Sequence, residues 1–143
     1  MKKYILSIGI FIMSLLSLCG CIESLPSNVK FLEFPQFEQF NESISVIEVT
    51  WDVNESEPVR FSITEAEDIK NIIAMYKEAT FVKVDTLNDG NHSSIKLIDG
   101  DGNNILIPLS NIKYGNKNQY YKYPDNSIYD YIKQVGQNLG ALS

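Results

Sequence analysis

Cysteine is almost missing from this sequence. The 143 residues hold two, Cys19 and Cys21, both at the end of an apolar N-terminal stretch. Once that stretch is removed at most one cysteine remains, so no disulfide can staple the fold and its hydrophobic core must hold it alone. Histidine is scarcer still: His92 stands by itself in a polar loop beside Ser93 and Ser94. A nucleophile and its base come from separate rigid elements, not from neighbours along a turn, and no Gly-x-Ser-x-Gly elbow is present. No spacing of His, Cys and carboxylate suits zinc, and no glycine-rich loop before a helix can cradle phosphate. No catalytic constellation and no cofactor are therefore expected.

Basic charge is also in short supply. The formal net charge is −6, and it becomes −8 when Lys2 and Lys3 leave with the N-terminal stretch. That balance argues against nucleic acid, whose phosphates demand clustered Lys and Arg, and against electrostatic adhesion to anionic lipid. Residues 21–68 carry eleven acidic side chains against Lys30 and Arg60, whereas from Ile69 onward seven face eight lysines. A solvated acidic surface accounts for the first half, and a cationic partner is the alternative.

What is present begins with a leader. Lys2 and Lys3 precede an apolar run, residues 4–18, of signal-peptide length. It ends in Leu18-Cys19-Gly20-Cys21, which resembles the bacterial lipobox: leucine at −3, small residues at −2 and −1, then cysteine. The resemblance implies a diacylglyceryl group on the Cys21 thiol, cleavage between Gly20 and Cys21, and acyl chains such as palmitate holding the product to the membrane. Two chains, at about 0.8 kcal/mol per buried CH₂, anchor stably where one does not. The expected organisation is a signal-peptide helix over 1–20, a lipidated tether over 21–28 and one domain over 29–143, at the extracytoplasmic face of the cell membrane. Lipidation of Cys19 would put Leu18 at −1, a poor fit. An uncleaved membrane helix over 4–22 is the alternative.

In the tether, Ser24, Pro26, Ser27 and Asn28 show no apolar period. Phe31, Phe34, Phe37 and Phe40 then recur every three residues around Pro35, which predicts an irregular or extended arm packed on the domain; an exposed partner-binding strip is the alternative. Residues 45–52 and 59–63 alternate as half-buried strands and predict a hairpin. Thr64-Glu65-Ala66-Glu67 reads as a capping box, and Ala66, Ile69, Ile72, Ile73 and Tyr76 mark a helix over 65–79. Strands are expected at 81–85, 94–99, 104–109 and 120–123, the middle two joined by the Gly100-Asp101-Gly102-Asn103 turn. Ile128, Tyr131, Ile132, Val135 and Leu139 close the chain as a second helix with Ser127 as its cap. The fold class predicted is α+β: an antiparallel sheet of about five to six strands with two amphipathic helices on one face.

Candidate chemistry is thin. Asp99, Asp101 and Asn103 alternate like the first ligands of a calcium loop, but Asn104 replaces the required glycine and Ser110 the bidentate glutamate. Glu65, Glu67 and Asp68 stabilise a helix N-terminus and need no other purpose. Six of eight tyrosines fall at Tyr114, Tyr120, Tyr121, Tyr123, Tyr129 and Tyr131. Periodicity assigns about half of them to packing. Tyr114, Tyr120, Tyr121 and Tyr123 are the candidate binding surface, because tyrosine offers a flat apolar face with a polar tip to a glycan or a protein.

From Val59 to Val135, Phe-Ser-Ile-Thr before a helix and an Asp-Gly hairpin after it resemble the small YhfM-like lipoproteins of Gram-positive bacteria, over about half the chain. That resemblance implies fold and location, and no activity. The function expected is a lipid-anchored, non-catalytic module whose partners are the membrane, through Cys21, and an envelope protein or glycan. An envelope hydrolase is the alternative, and a cleft with two converging carboxylates would favour it.

Overall fold

The computed structural model describes residues 24–38, 40, 43–52, 57–85 and 92–143. The expected leader with Gly20 and Cys21, most of the turn after β2 and the tip of the loop before His92 lie outside the described residues. In chain order the elements are β1 (Asn28–Lys30), two short 3₁₀ turns (Phe31–Glu33 and Pro35–Phe37), β2 (Ile44–Trp51), β3 (Val59–Ile63), α1 (Ala66–Glu78), β4 (Thr80–Val84), β5 (Ser94–Asp99), β6 (Asn104–Pro108), β7 (Asn111–Lys113), β8 (Tyr120–Lys122) and α2 (Ser127–Asn138).

The α+β class and the antiparallel pairing are as the sequence predicts, but the strands form two sheets of four. One sheet runs β3-β2-β5-β6 and the other β1-β4-β8-β7. The expected single sheet of five to six strands is corrected by β1 and β7, three residues each and too short to show a period. Pro108 ends β6, since it lacks a donor to carry a ladder on, and the chain crosses at Leu109 and Ser110 into the second sheet. The Gly102 φ of +86° closes the β5–β6 turn, a conformation glycine adopts without strain.

One hydrophobic core joins both sheets and both helices. Ile47, Val49, Ile95, Leu97 and Ile107 face it from the first sheet, and Val29, Phe81, Ile112 and Tyr121 from the second. Ile69, Ile72, Ile73 and Tyr76 come from α1, and Ile128, Ile132 and Val135 from α2. The phenylalanine arm packs inward as expected. A 3₁₀ helix has three residues per turn, so a spacing of three puts Phe31, Phe34 and Phe37 on one face, with Pro35 opening the second turn. Gln36 clips this arm to the β7–β8 turn: its side-chain amide donates to the Lys113 carbonyl, and its carbonyl accepts the Gly115 amide at 2.9 Å.

Both expected helix caps are corrected. Helix α1 begins at Ala66 with Glu65 at its N-cap, and no side chain caps it, so the Thr64–Glu67 box does not form. At α2 the N-cap is Asn126, and Asp125 accepts the Ser127 amide at 2.9 Å; Ser127 is the first helical residue. Between the helices the Tyr131 hydroxyl donates to Asp68 at 2.8 Å and accepts the Asn71 side-chain amide at 3.0 Å. The tether is engaged earlier than its predicted end at Asn28. The Tyr121 hydroxyl donates to the Pro26 carbonyl at 2.7 Å, and the Lys83 amide to the Ser27 carbonyl at 2.9 Å.

Candidate functional site

At one end of the second sheet, β7 begins and β8 finishes side by side, with Asn111 opposite Lys122. The chain enters β7 through Ser110 and leaves β8 through Tyr123, Pro124, Asp125 and Asn126 before turning into α2. These two passages and the first turn of α2 enclose a cleft of about 630 Å³, whose polar rim includes Ser110, Asn111, Lys122, Asp125, Asn126 and Asp130. Its aromatic lining is Tyr129 and Tyr123. The Tyr129 ring is backed by Trp51, with centroids 4.4 Å apart and planes 30° from parallel. Burial pushes the Tyr129 hydroxyl above its ordinary value, and the neighbouring Asp130 adds to the shift. Hydrogen bonds from Ser127, first its hydroxyl and then its amide, hold the Asp125 carboxyl below the usual carboxylate range. The cleft therefore offers hydroxyl, amide, ammonium and carboxylate groups around a fixed aromatic plane.

The expected tyrosine surface is redistributed by the fold. Tyr121 is fully buried on the inner face of β8, against Phe34 and Tyr114, and offers no surface to a partner. Tyr114 packs on the core beside Phe34. Tyr123 sits between Tyr76 and Phe81, and its hydroxyl is buried. Tyr120 is half-buried on the outer face of the sheet. The four do not form one exposed surface. Tyr123 and Tyr129, with the polar residues on either side of Pro124, meet instead in the cleft. The sequence offered Ser127 as a helix cap, and only the crossing from β6 to β7 brings Ser110 and Asn111 beside that helix start.

The remaining candidates have structural partners. The Ser93 hydroxyl is buried, accepting the Asp52 amide at 2.9 Å and donating to the Asp52 carbonyl at 3.3 Å, whereas His92 is exposed. Asp99 turns into its own hairpin: one carboxylate oxygen accepts the amides of Asp101 and Asn103 at 2.9 Å, and the other the Asn103 side chain at 2.9 Å. Among the described residues no group of three His, Cys, Asp or Glu side chains is placed to hold a metal ion. The Asn103 side chain, foremost, holds the Asp99 carboxyl below the ordinary value of 3.8. A lowered native value stabilises the fold above the unfolded value, and that contribution is lost as pH falls through the native one. Asp99→Ala is therefore expected to lower the urea midpoint at neutral pH, with the gap to the parent closing below about pH 4. A gap independent of pH would show that the carboxylate charge contributes nothing to the turn.

Among the described residues the fold and the cleft define a small α+β domain: two four-stranded antiparallel sheets and two helices on one core, with a polar, aromatic-backed cleft where β8 bends into α2. In comparisons with models of known families, with curated proteins and with solved structures, the chain matches none. Among the described residues no helix is long and apolar enough to cross a membrane.

Proposed function

We propose that this protein is a lipid-anchored binding module on the outer face of the cytoplasmic membrane, and that its cleft receives a glycan of the envelope. The lipobox-like run ending at Cys21 supports the anchor. The composition of the cleft carries the ligand class. A sugar ring presents an apolar C–H face and a rim of hydroxyls; Tyr129, stiffened by Trp51, suits the face, while Ser110, Asn111, Asn126 and Asp130 suit the rim.

Two carboxylates on one cleft favour a second reading, an envelope glycosidase. Glycoside hydrolysis uses one carboxyl group whose proton is held more tightly than usual, to act as general acid. Asp125 departs in the opposite direction, because Ser127 bonds its ionised form. In a hydrolase Asp125 would therefore be the ionised base or nucleophile, and the acid's part would fall to Asp130.

The test is retention of the purified full-length lipoprotein on isolated cell-wall glycan, with soluble reducing ends measured in parallel. Asn111→Ala combined with Asp130→Asn is expected to weaken retention about tenfold, the equivalent of about 1.4 kcal/mol of lost hydrogen bonding, with no reducing ends released by either protein. Undiminished retention would remove the cleft from the interaction. Reducing ends released by the parent and not by Asp130→Asn would establish the hydrolase. Membrane retention of the parent and release of Cys21→Ser into the medium tests the anchor on its own.

A further inference from the structure

The sheet that carries the cleft at one end receives the tether at the other. Strand β1 starts at Asn28, so the end of the second sheet nearest Cys21 holds Ser27, Lys83 and Val84 of β4, Tyr120 of β8 and Lys113 of β7, together with the 114–119 turn. Pro26 is already fixed there by the Tyr121 hydroxyl. Pro26 lies five positions after Cys21, and a fully extended chain over five steps reaches about 18 Å at most. A lipid on Cys21 therefore keeps this end of the domain at the bilayer surface.

The charges at that end suit an anionic surface. Lys113 lies on the outer face of the sheet, with half-buried Tyr120 next to it on β8. Lys83 is exposed near the end of β4, and Lys117 stands in the 114–119 turn. Among the described residues, the strands of this sheet and that turn set Asp85 against these three lysines at this end; Glu23 and Asp89 lie outside the described residues. Net charge conceals this arrangement, because the acidic residues concentrate in the first half of the sequence, on the arm, the first sheet and the start of α1.

We propose that the tether end of the second sheet, with Lys83, Lys113 and Lys117, is an electrostatic footing on the anionic bilayer that turns the cleft away from the membrane. This rests on the anchored reading above. The lipid supplies the affinity, so the lysines need only bias orientation, and each held near an anionic leaflet does so about fivefold. The bias acts within a Debye length, about 8–10 Å at physiological ionic strength, and disappears in high salt.

The experiment reconstitutes the full-length lipidated protein into vesicles of phosphatidylglycerol and phosphatidylcholine, or of phosphatidylcholine alone. A fluorophore is carried on Asn116→Cys, in the tether-end turn, or on Asn126→Cys, at the cleft. The lipid occupies the Cys21 thiol, so labelling is confined to the new cysteine. Acrylamide quenching of the Asn116 label is expected to fall at least about threefold below that of the Asn126 label on anionic vesicles, and the difference to vanish in 0.5 M salt, on neutral vesicles and in the Lys83→Glu, Lys113→Glu variant. Equal quenching of the two labels on anionic vesicles, in a protein that remains anchored, overturns the footing and leaves the anchor standing. Parent protein that carries no lipid and is not retained by membranes overturns both.

Discussion

Replacing Phe34 by alanine is expected to leave the domain largely unfolded at physiological temperature. Its ring is fully buried and meets four others: Phe37, Phe81, Tyr114 and Tyr121, with centroids 5.3 to 5.8 Å away. Truncating a buried phenylalanine costs about 3–5 kcal/mol through lost burial and the cavity left behind. Domains of this size are stable by about 5–15 kcal/mol in total, and the described residues hold no cysteine to supplement this one with a disulfide. Leu32→Ala, two residues away at a side chain 45% exposed, is the matched control and should shift stability by no more than about 0.5 kcal/mol. Urea unfolding followed by circular dichroism checks both. Equal effects at the two positions would mean that the arm rests on the domain without belonging to its core, and would restore the reading of its phenylalanines as a partner-binding strip.

That arm shows how far the sequence was legible. A period of three with Pro35 inside it fits neither a strand nor an α-helix, and it predicts an irregular or extended arm packed on the domain; the packing is found, but the arm is two 3₁₀ turns, whose own period of three puts Phe31, Phe34 and Phe37 inward. The longer strands were readable for the same reason, since alternation over five or more residues matches a strand with one face buried and no helix. Strands β1 and β7 were not, because three residues carry no period; Asn28–Lys30 is a strand only because β4 lies beside it. The caps failed on geometry. Thr64 has the right chemistry one position too early, and Asn126 takes the N-cap position expected of Ser127 without a side-chain cap bond.

The cleft was illegible on different grounds. Its residues come from two passages about fifteen positions apart, and each passage makes sense locally, one as the end of a strand and the other as the start of a helix. Only a crossover between sheets makes them neighbours. The tyrosine cluster misled through its density. Tyr120 and Tyr121 are adjacent on a strand with neighbours on both sides, so one must face the core; Tyr121 does, spending its hydroxyl on the tether. The basic end of the second sheet was hidden the same way, as Lys83 and Lys113, thirty positions apart in an acidic chain, reach one end of the sheet only through the strand pairing.

Alkaline conditions should expose the least comfortable part of the core. Tyr76 on α1 and Tyr123 after β8 meet edge to face with centroids 5.6 Å apart, and both hydroxyls are buried without a hydrogen bond of ordinary geometry. Burial drives both hydroxyls well above their ordinary value of 10; their contact lowers Tyr76 slightly and raises Tyr123 further. A raised native value means that the unfolded chain ionises first, so the stability held below about pH 10 is lost as pH climbs past it. Each pH unit above that point removes about 1.4 kcal/mol for each tyrosine that stays protonated in the fold. The double variant Tyr76→Phe, Tyr123→Phe removes both groups while keeping both rings. It is expected to be no less stable than the parent at neutral pH, since it loses two polar atoms that lack partners. Above pH 10 its advantage should widen by about 2–3 kcal/mol per unit, read from urea midpoints measured between about pH 7 and 11.5, with lysine titration cancelling between the two proteins. Parallel curves would show that the native hydroxyls reach water, and would reopen the inner wall of the cleft, where Tyr123 sits, as a solvated surface.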